Sequence, residues 1–593
     1  MNWTREPVEQ PMKTTTASQG EFEPRDGYHV IRDYVESIAI AIMLAFIFRM
    51  FLLEAFVIPT GSMAPTLHGR HMDITCIECG YRYQTGASVE NADNPNVKEV
   101  IATDCPLCRY PLTLDKESKP NERSFNGDRI LVSKFSYSIS DPKRWQVIVF
   151  KFPGNAKQNY IKRLVGLPGE RIKITGGDIY AVPPDAVDRK SFQIVRKSPR
   201  KLLAMLQLVH DSNYVAETLQ RVGWPASWQP WSPDGELPEG TWATVPNQQG
   251  YQVQESNDQV SYLRYRHLPP DRSDWSNVRS AAARNDQGML ITDYYGYNRG
   301  RIAQKSIDGR WFIEEQAGPA TGLNWVGDLA AEFEIEVMSK TGQVLLDLLE
   351  GGTHFKCSID VQTGQATLSR VAPTGNQEVF TDSQGAQVKH PKGATKMIGA
   401  GSYKLRFSNV DNELLLWVNN RLVSFQGPTT YQADPVLSPH WRPDDPGDLA
   451  PVGIGSRSAA LQVKRLRILR DVYYIATDGS DTLDYSNQEY EDPWKILSQP
   501  QRWADSSYFQ NAKELLIPES GSLGPDDFLP LGDNSPASFD GRMWAADPKL
   551  SYQKHTVPRR LLIGQAMFVY WPHSWRWGKV PIVPNFLQMR MIQ

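Results

Sequence analysis

"FVIPTGSMAPTLHG", residues 56–69, follows directly on an apolar run and sets Ser62 between a glycine and a methionine. The run before it, "VESIAIAIMLAFIFRMFLLEAFV" from Val35 to Val57, is long enough to cross a hydrocarbon core of about 30 Å as a helix. Arg49 and Glu54 stand near its outer end, where charged side chains reach back to the interface. A buried soluble helix is the competing reading. A cleaved signal peptide fits less well, because an acidic, polar stretch precedes the run and "FVIPTGSM" follows it. The expectation is a transmembrane helix over residues 34–57 behind a polar segment, 1–33. Charge does not orient the span, since Arg5, Lys13, Arg25 and Arg32 stand among a larger number of acids.

A chain of 593 residues, 40% hydrophobic and 22% charged, is folded protein too long for one ordinary core, and predicts two or three domains. Its net charge of -3, with no long run of one sign, gives no electrostatic reason to expect a nucleic-acid partner.

An isolated Gly-Ser dipeptide is most often a loop. Three later stretches raise this one: "GDRILVSKF" at 127–135, "NYIKRLVGLPGERIKI" at 159–174 and "LGDNSPASFDGR" at 531–542. With "IPTGSMAPTL" they resemble, in order and wording, the four catalytic boxes of bacterial type I signal peptidases, the Ser/Lys leader peptidases. The resemblance covers roughly residues 30–70, 120–180 and 515–575, and four ordered motifs are far more specific than one. It implies a mostly β catalytic domain in three parts, 58–70, 119–180 and 470–593. That domain would be membrane-bound, single-pass and extracytoplasmic at the bacterial inner membrane, and would cut signal peptides from secreted precursors after Ala-x-Ala.

The chemistry of the residues agrees. A serine hydroxyl needs a base, and a lysine kept neutral is one. An exposed lysine has a pKa of about 10.4, so a shift of about 2 units or more is needed, and burial supplies it. Tyr160, Ile161, Leu164 and Val165 give Lys162 the apolar surroundings of such an amine. Carried over from the family, Ser62 is the nucleophile and Lys162 the general base. The Ser62 N–H and the Thr60 hydroxyl are the oxyanion donors. Ser538 matches the serine that orients the lysine, Asp540 and Arg542 match a supporting ion pair, and Asp533 and Arg163 are counted as further support. Gly541 stands where the family often has serine. Two shallow apolar pockets and a groove for extended backbone are needed for small-residue substrates, and Ile58, Pro59, Met63, Tyr160 and Ile161 are assigned to them. Catalysis needs no cofactor.

Residues 71–118 form an insertion with "CIECGYRY" at 76–83 and "CPLCRYPL" at 105–112. Two Cys-x-x-Cys knuckles separated by twenty-five residues read as a zinc ribbon, with Cys76, Cys79, Cys105 and Cys108 around a structural zinc. Disulfides are the competing reading, because thiols oxidise outside the cytoplasm. Cys357, in the strand-like "HFKCSID", reads as a small buried hydrophobe.

A long insertion, 181–469, lies outside the resemblance. "SPRKLLAMLQLVHDSNYVAETLQRVGW" has helical spacing; then "AEFEIEV" alternates, and "ELLLWVNNRLVSF" reads as a hairpin turning at Asn419-Asn420. The expectation is a jelly-roll-like β-sandwich, serving as a spacer or docking another protein or a glycan. "LLIGQAMFVYWP", too short for a second span, is expected to be a closing strand. Two rival readings remain open: a membrane-tethered binding protein that works through the sandwich, and a Ser/Lys autoprotease of related fold.

Overall fold

The computed structural model describes residues 27–47, 52–91, 98–186, 191–232, 241–245, 250–255, 259–278, 288–305, 311–314, 322–433, 437–479, 481–485, 493–504, 507–544, 554–577, 580–583 and 585–593. A first unit, ending at Glu54, holds the helix Gly27–Ile47. No helix among the described residues is long and apolar enough to cross a membrane. The expected span is also corrected at its outer end, where Leu53–Val57 is a β-strand; Arg49, like most of the segment 1–33, lies outside the described residues. The physical reason is local: aromatic and β-branched residues lead into Ile58-Pro59, and a residue before proline is held extended.

The second unit, Ala55–Gln593, is mostly β. One antiparallel sheet runs in the order Leu53–Val57, Arg129–Ser133, Leu562–Trp571, Val147–Phe152, Asn155–Gly166, Asp527–Leu531, Val557–Pro558. Its centre is the hairpin in which Ile148 pairs with Lys162 and Val147 with Arg163. Strand parity sends Lys162 and Arg163 to opposite faces. Leu531 pairs with Arg163, which delivers the fourth box to the same end of the strand. The closing strand at Leu562–Trp571 is where the sequence put it.

Two large sheets built from residues 207–470 share one core, Phe333, Ile335 and Val337 of one sheet packing with Leu346, Leu348 and Phe355 of the other. The turn between Glu413–Val418 and Arg421–Leu422 has Asn419 at φ 50 and Asn420 at φ 62, the left-handed pair of a tight hairpin. Cys357 lies buried in the strand Thr353–Asp360. The helical expectation at the start of this region is corrected. Pro199–Met205 and Glu217–Arg221 are short helices, and Gln207–Asp211 between them is a strand on Leu461–Arg470. Sheet pairing overrides the local helical spacing there.

The cysteine-bearing segment is a hairpin, His71–Thr75 with Arg82–Gly86, beside the pair Lys98–Asp104 and Pro111–Thr113. The long insertion sends a strand into it: Arg301–Lys305 pairs with Lys98–Asp104.

Candidate active site

Ser62 sits in a single turn of 3-10 helix, Gly61–Met63, entered by Thr60 in an extended conformation. Met63 anchors the turn; it is fully buried in a core shared with Ile58, Leu67, Ile130 and Val149. Ile58 and Met63, assigned to the substrate pockets from the sequence, thus lie in the core beneath the nucleophile turn. Pro59 and Thr60 are exposed, Tyr160 and Ile161 half-buried, beside the serine and the lysine in sequence.

Lys162 reaches Ser62 from the hairpin strand, with Nζ 2.7 Å from the serine Oγ and 3.1 Å from the Ile161 carbonyl oxygen. Lys162 is 4% exposed and Ser62 6%. Burial pulls the amine down from the ordinary lysine range to about 8, although the Asp540 and Asp533 carboxylates attract its proton. A desolvated amine in contact with a serine hydroxyl is the arrangement that serves as a base near neutral pH.

The residues of the fourth box surround this pair. Asp533 takes a two-pronged ion pair from Arg163, at 2.7 Å on each oxygen, and Asp540 takes one from Arg542, at 2.9 Å on each. Both pairs are buried. Asp540 also accepts the Gly532 N–H at 2.9 Å, and Arg542 donates to the Ile475 carbonyl and the Ser535 hydroxyl. Such fully bonded pairs fix the loop at 531–542. Ser538 is buried in that loop, but its hydroxyl has no hydrogen-bond partner among the described residues. The expected bond from Ser538 to the lysine is corrected: the amine is bonded to Ser62 and Ile161 instead. A Cβ at Gly532 would stand 2.1 Å from the Ser538 Oγ and 2.6 Å from the Ser62 carbonyl oxygen, so only glycine lets the two loops meet.

Two residues of the long insertion, which the sequence did not single out, also reach the nucleophile turn. A Cβ at Gly61 would lie 2.4 Å from the Tyr297 ring, so that ring packs directly on the turn. Asn298 is buried and exchanges two hydrogen bonds with Asn534, of 2.7 and 2.9 Å. Asn534 was within reach of sequence reasoning, because it lies inside the fourth box. Asn298 carries no motif.

Cys76, Cys79, Cys105 and Cys108 are buried with their sulfurs within 4.8 Å of one another. Cys76 and Cys108 are 3.6 Å apart at sulfur, and Cys79 and Cys105 3.7 Å. A disulfide needs about 2.05 Å; a tetrahedron of sulfurs at about 2.3 Å from one zinc has edges of roughly 3.8 Å. The knuckles share one turn, with Gly80 N–H bonded to the Cys76 carbonyl and Arg109 N–H to the Cys105 carbonyl. The four thiols could hold a metal ion.

The family described as signal peptidase, peptidase S26 matches residues 31–107 and 113–216, stretches that hold Ser62 and Lys162 respectively. Signal peptidase I of Pseudomonas fluorescens is 40% identical over 76 residues, which are 11% of this chain and 27% of that protein. Signal peptidase I of Buchnera aphidicola subsp. Baizongia pistaciae is 48% identical over 58 residues, 8% of this chain and 19% of that protein. The chain thus spans about a quarter or less of these relatives. A carbohydrate binding module, CBM66 from Bacillus subtilis, covers 40% of the chain at 11% identity with a TM-score of 0.20, too low to equate the folds.

Proposed function

We propose that this protein is a membrane-anchored signal peptidase I, a serine endopeptidase that cuts signal peptides from precursor proteins after small residues. The observation that carries this reading is the 2.7 Å contact between the Lys162 amine and the Ser62 hydroxyl in a buried setting. Neutral Lys162 takes the Ser62 proton as Oγ attacks the scissile carbonyl, and returns it to the leaving amine. The Ser62 N–H and the exposed Thr60 hydroxyl stabilise the oxyanion. Water then hydrolyses the acyl-serine, with Lys162 again as base. Arg163 with Asp533 and Arg542 with Asp540 hold the two loops in place.

The helix Gly27–Ile47 serves as the membrane anchor. That helix is not by itself long and apolar enough to cross, so it anchors as part of the longer apolar run 35–57. Its Ile31, Val35, Ile38, Ile42 and Leu44 are each more than half exposed, and apolar side chains turned outward on several sides suit lipid contact. The anchor confines enzyme and signal peptide to one surface, which raises their effective concentration. The catalytic part stands on the extracytoplasmic side of the inner membrane. Cys76, Cys79, Cys105 and Cys108 hold a structural zinc, closed to substrate, and take no part in hydrolysis. The insertion carrying the two large sheets docks another protein or a glycan.

The deciding experiment is cleavage of a precursor whose signal ends in Ala-x-Ala by purified protein in detergent, beside Ser62→Ala. Cleavage by the wild type alone, after the second alanine, supports the reading. Equal cleavage by both, or by neither, overturns it.

A further inference from the structure

The Gly61–Ser62 peptide is trans, so its carbonyl and its N–H lie in one plane and point in opposite directions. Whatever holds the Gly61 carbonyl on one side therefore aims the Ser62 N–H on the other. The Gly61 oxygen accepts the Asn534 Nδ2 hydrogen at 3.0 Å and the Ala64 N–H at 3.0 Å, and the Asn534 N–H bonds the Ser62 carbonyl at 3.1 Å. An asparagine amide can turn over, exchanging its NH2 and oxygen with almost no change of shape. Turned over, Asn534 would set an oxygen against the Gly61 oxygen.

The Gly61 carbonyl calls for the working orientation, and Asn298 holds Asn534 in it. Its Nδ2 donates to the Asn534 Oδ1 at 2.7 Å, and its Oδ1 accepts the second Asn534 Nδ2 hydrogen at 2.9 Å. Both Asn534 amide hydrogens are then used, one on Gly61 and one on Asn298, and the oxygen is fixed by a donor. Both side chains are buried, so water does not compete freely for these groups. The Tyr297 ring against Gly61 holds the turn from the same segment.

We propose that Asn298 is a positioning residue for the nucleophile peptide, acting through Asn534 and the Gly61 carbonyl to aim the Ser62 N–H at the oxyanion. The inference rests on the Ser62/Lys162 reading, and it makes the long insertion a part of the catalytic turn. A donor aimed at the oxyanion acts in the transition state, so its loss lowers kcat and leaves KM in place. Lys162 is untouched, so the pH at which the activity is half its plateau stays where it is.

The test measures kcat, KM and the pH profile on a precursor peptide for wild type, Ser62→Ala, Asn298→Leu, Asn534→Asp and the Asn298→Leu/Asn534→Asp pair. Wild-type cleavage that Ser62→Ala abolishes establishes the underlying reading separately; without it, both reading and inference fall. Asn298→Leu should then lower kcat about 10- to 100-fold, within or below the effect of deleting one oxyanion donor, with KM and the pH midpoint unchanged. The pair should be no slower than Asn534→Asp alone, because the two residues act in series. If the leucine variant does not fold, the isosteric Asn298→Asp, which cannot donate to the Asn534 oxygen, carries the test with the same expectation. Wild-type kcat in the variant that folds, a fall in activity carried by KM, a shifted pH midpoint, or fully additive losses would each overturn the proposal.

Discussion

Ser62 and Lys162 are 100 positions apart in the chain, and the contact between their side chains decides what each substitution should do. Ser62→Ala and Lys162→Ala should each reduce cleavage below a few per cent of wild type while leaving the circular dichroism spectrum unchanged. Ser538→Ala should cost less, under about tenfold in kcat, because it removes a hydroxyl with no hydrogen-bond partner among the described residues and leaves nucleophile and base in contact. On the proposed mechanism Lys162 works in its neutral form, and burial lowers its pKa to about 8, so activity should climb with pH through that value. A rate profile flat from pH 6 to 9 would contradict it. The same shift bears on stability with a definite sign. Between about 8 in the folded chain and about 10.4 in the unfolded one, only the unfolded chain binds the proton, so this lysine favours folding more as pH rises through that window. Ser62 and Lys162 could be singled out in the sequence because four ordered boxes resemble those of one family, and the structure brings their side chains to 2.7 Å. Asn298 could not be, since an asparagine in a loop has many uses and only its distance to Asn534 selects one.

Among the elements, the two Cys-x-x-Cys turns were legible from spacing alone, because two thiolates on one knuckle and two on another suit one tetrahedral ion. The purified protein should hold about one zinc per chain. All four thiols should resist alkylation until a chelator is added, and Zn–S distances should be near 2.3 Å. Disulfides would give neither metal nor thiols. Metal removal should loosen the hairpins between residues 71 and 115 first, seen as faster amide exchange there, and cleavage should fall later. The strand that Arg301–Lys305 adds to Lys98–Asp104 was hidden from the sequence, because a pairing across some 200 residues leaves no local pattern. The alternating Phe333, Ile335 and Val337 did reveal their strand, and Asn419-Asn420 its turn. Sequence spacing failed at Gln207–Asp211, where a neighbouring strand, not the local pattern, sets the conformation. Buried Lys197 joins Asp411 and Asp471, with its amine 2.7 Å from each. Lys197→Met strands two carboxylates without their cation and should cost about 3–5 kcal/mol, read as a lower midpoint in urea.

Taken as a whole, the molecule ties its site together with contacts between distant parts of the chain. Replacing residues 207–470 by a short linker removes both Asn298 and the added ribbon strand, and should lower kcat at least as far as Asn298→Leu while weakening zinc retention, measured together on one preparation. The fourth box pairs with residues made long before it: Arg163 meets Asp533, 370 positions later, and Asn298 meets Asn534, 236 positions later. A ribosome delivers those residues in order. A growing chain that already displays Ser62 and Lys162 still lacks the loop at 531–542 that packs against both, so the proposed site is completed only once that late segment has been translated.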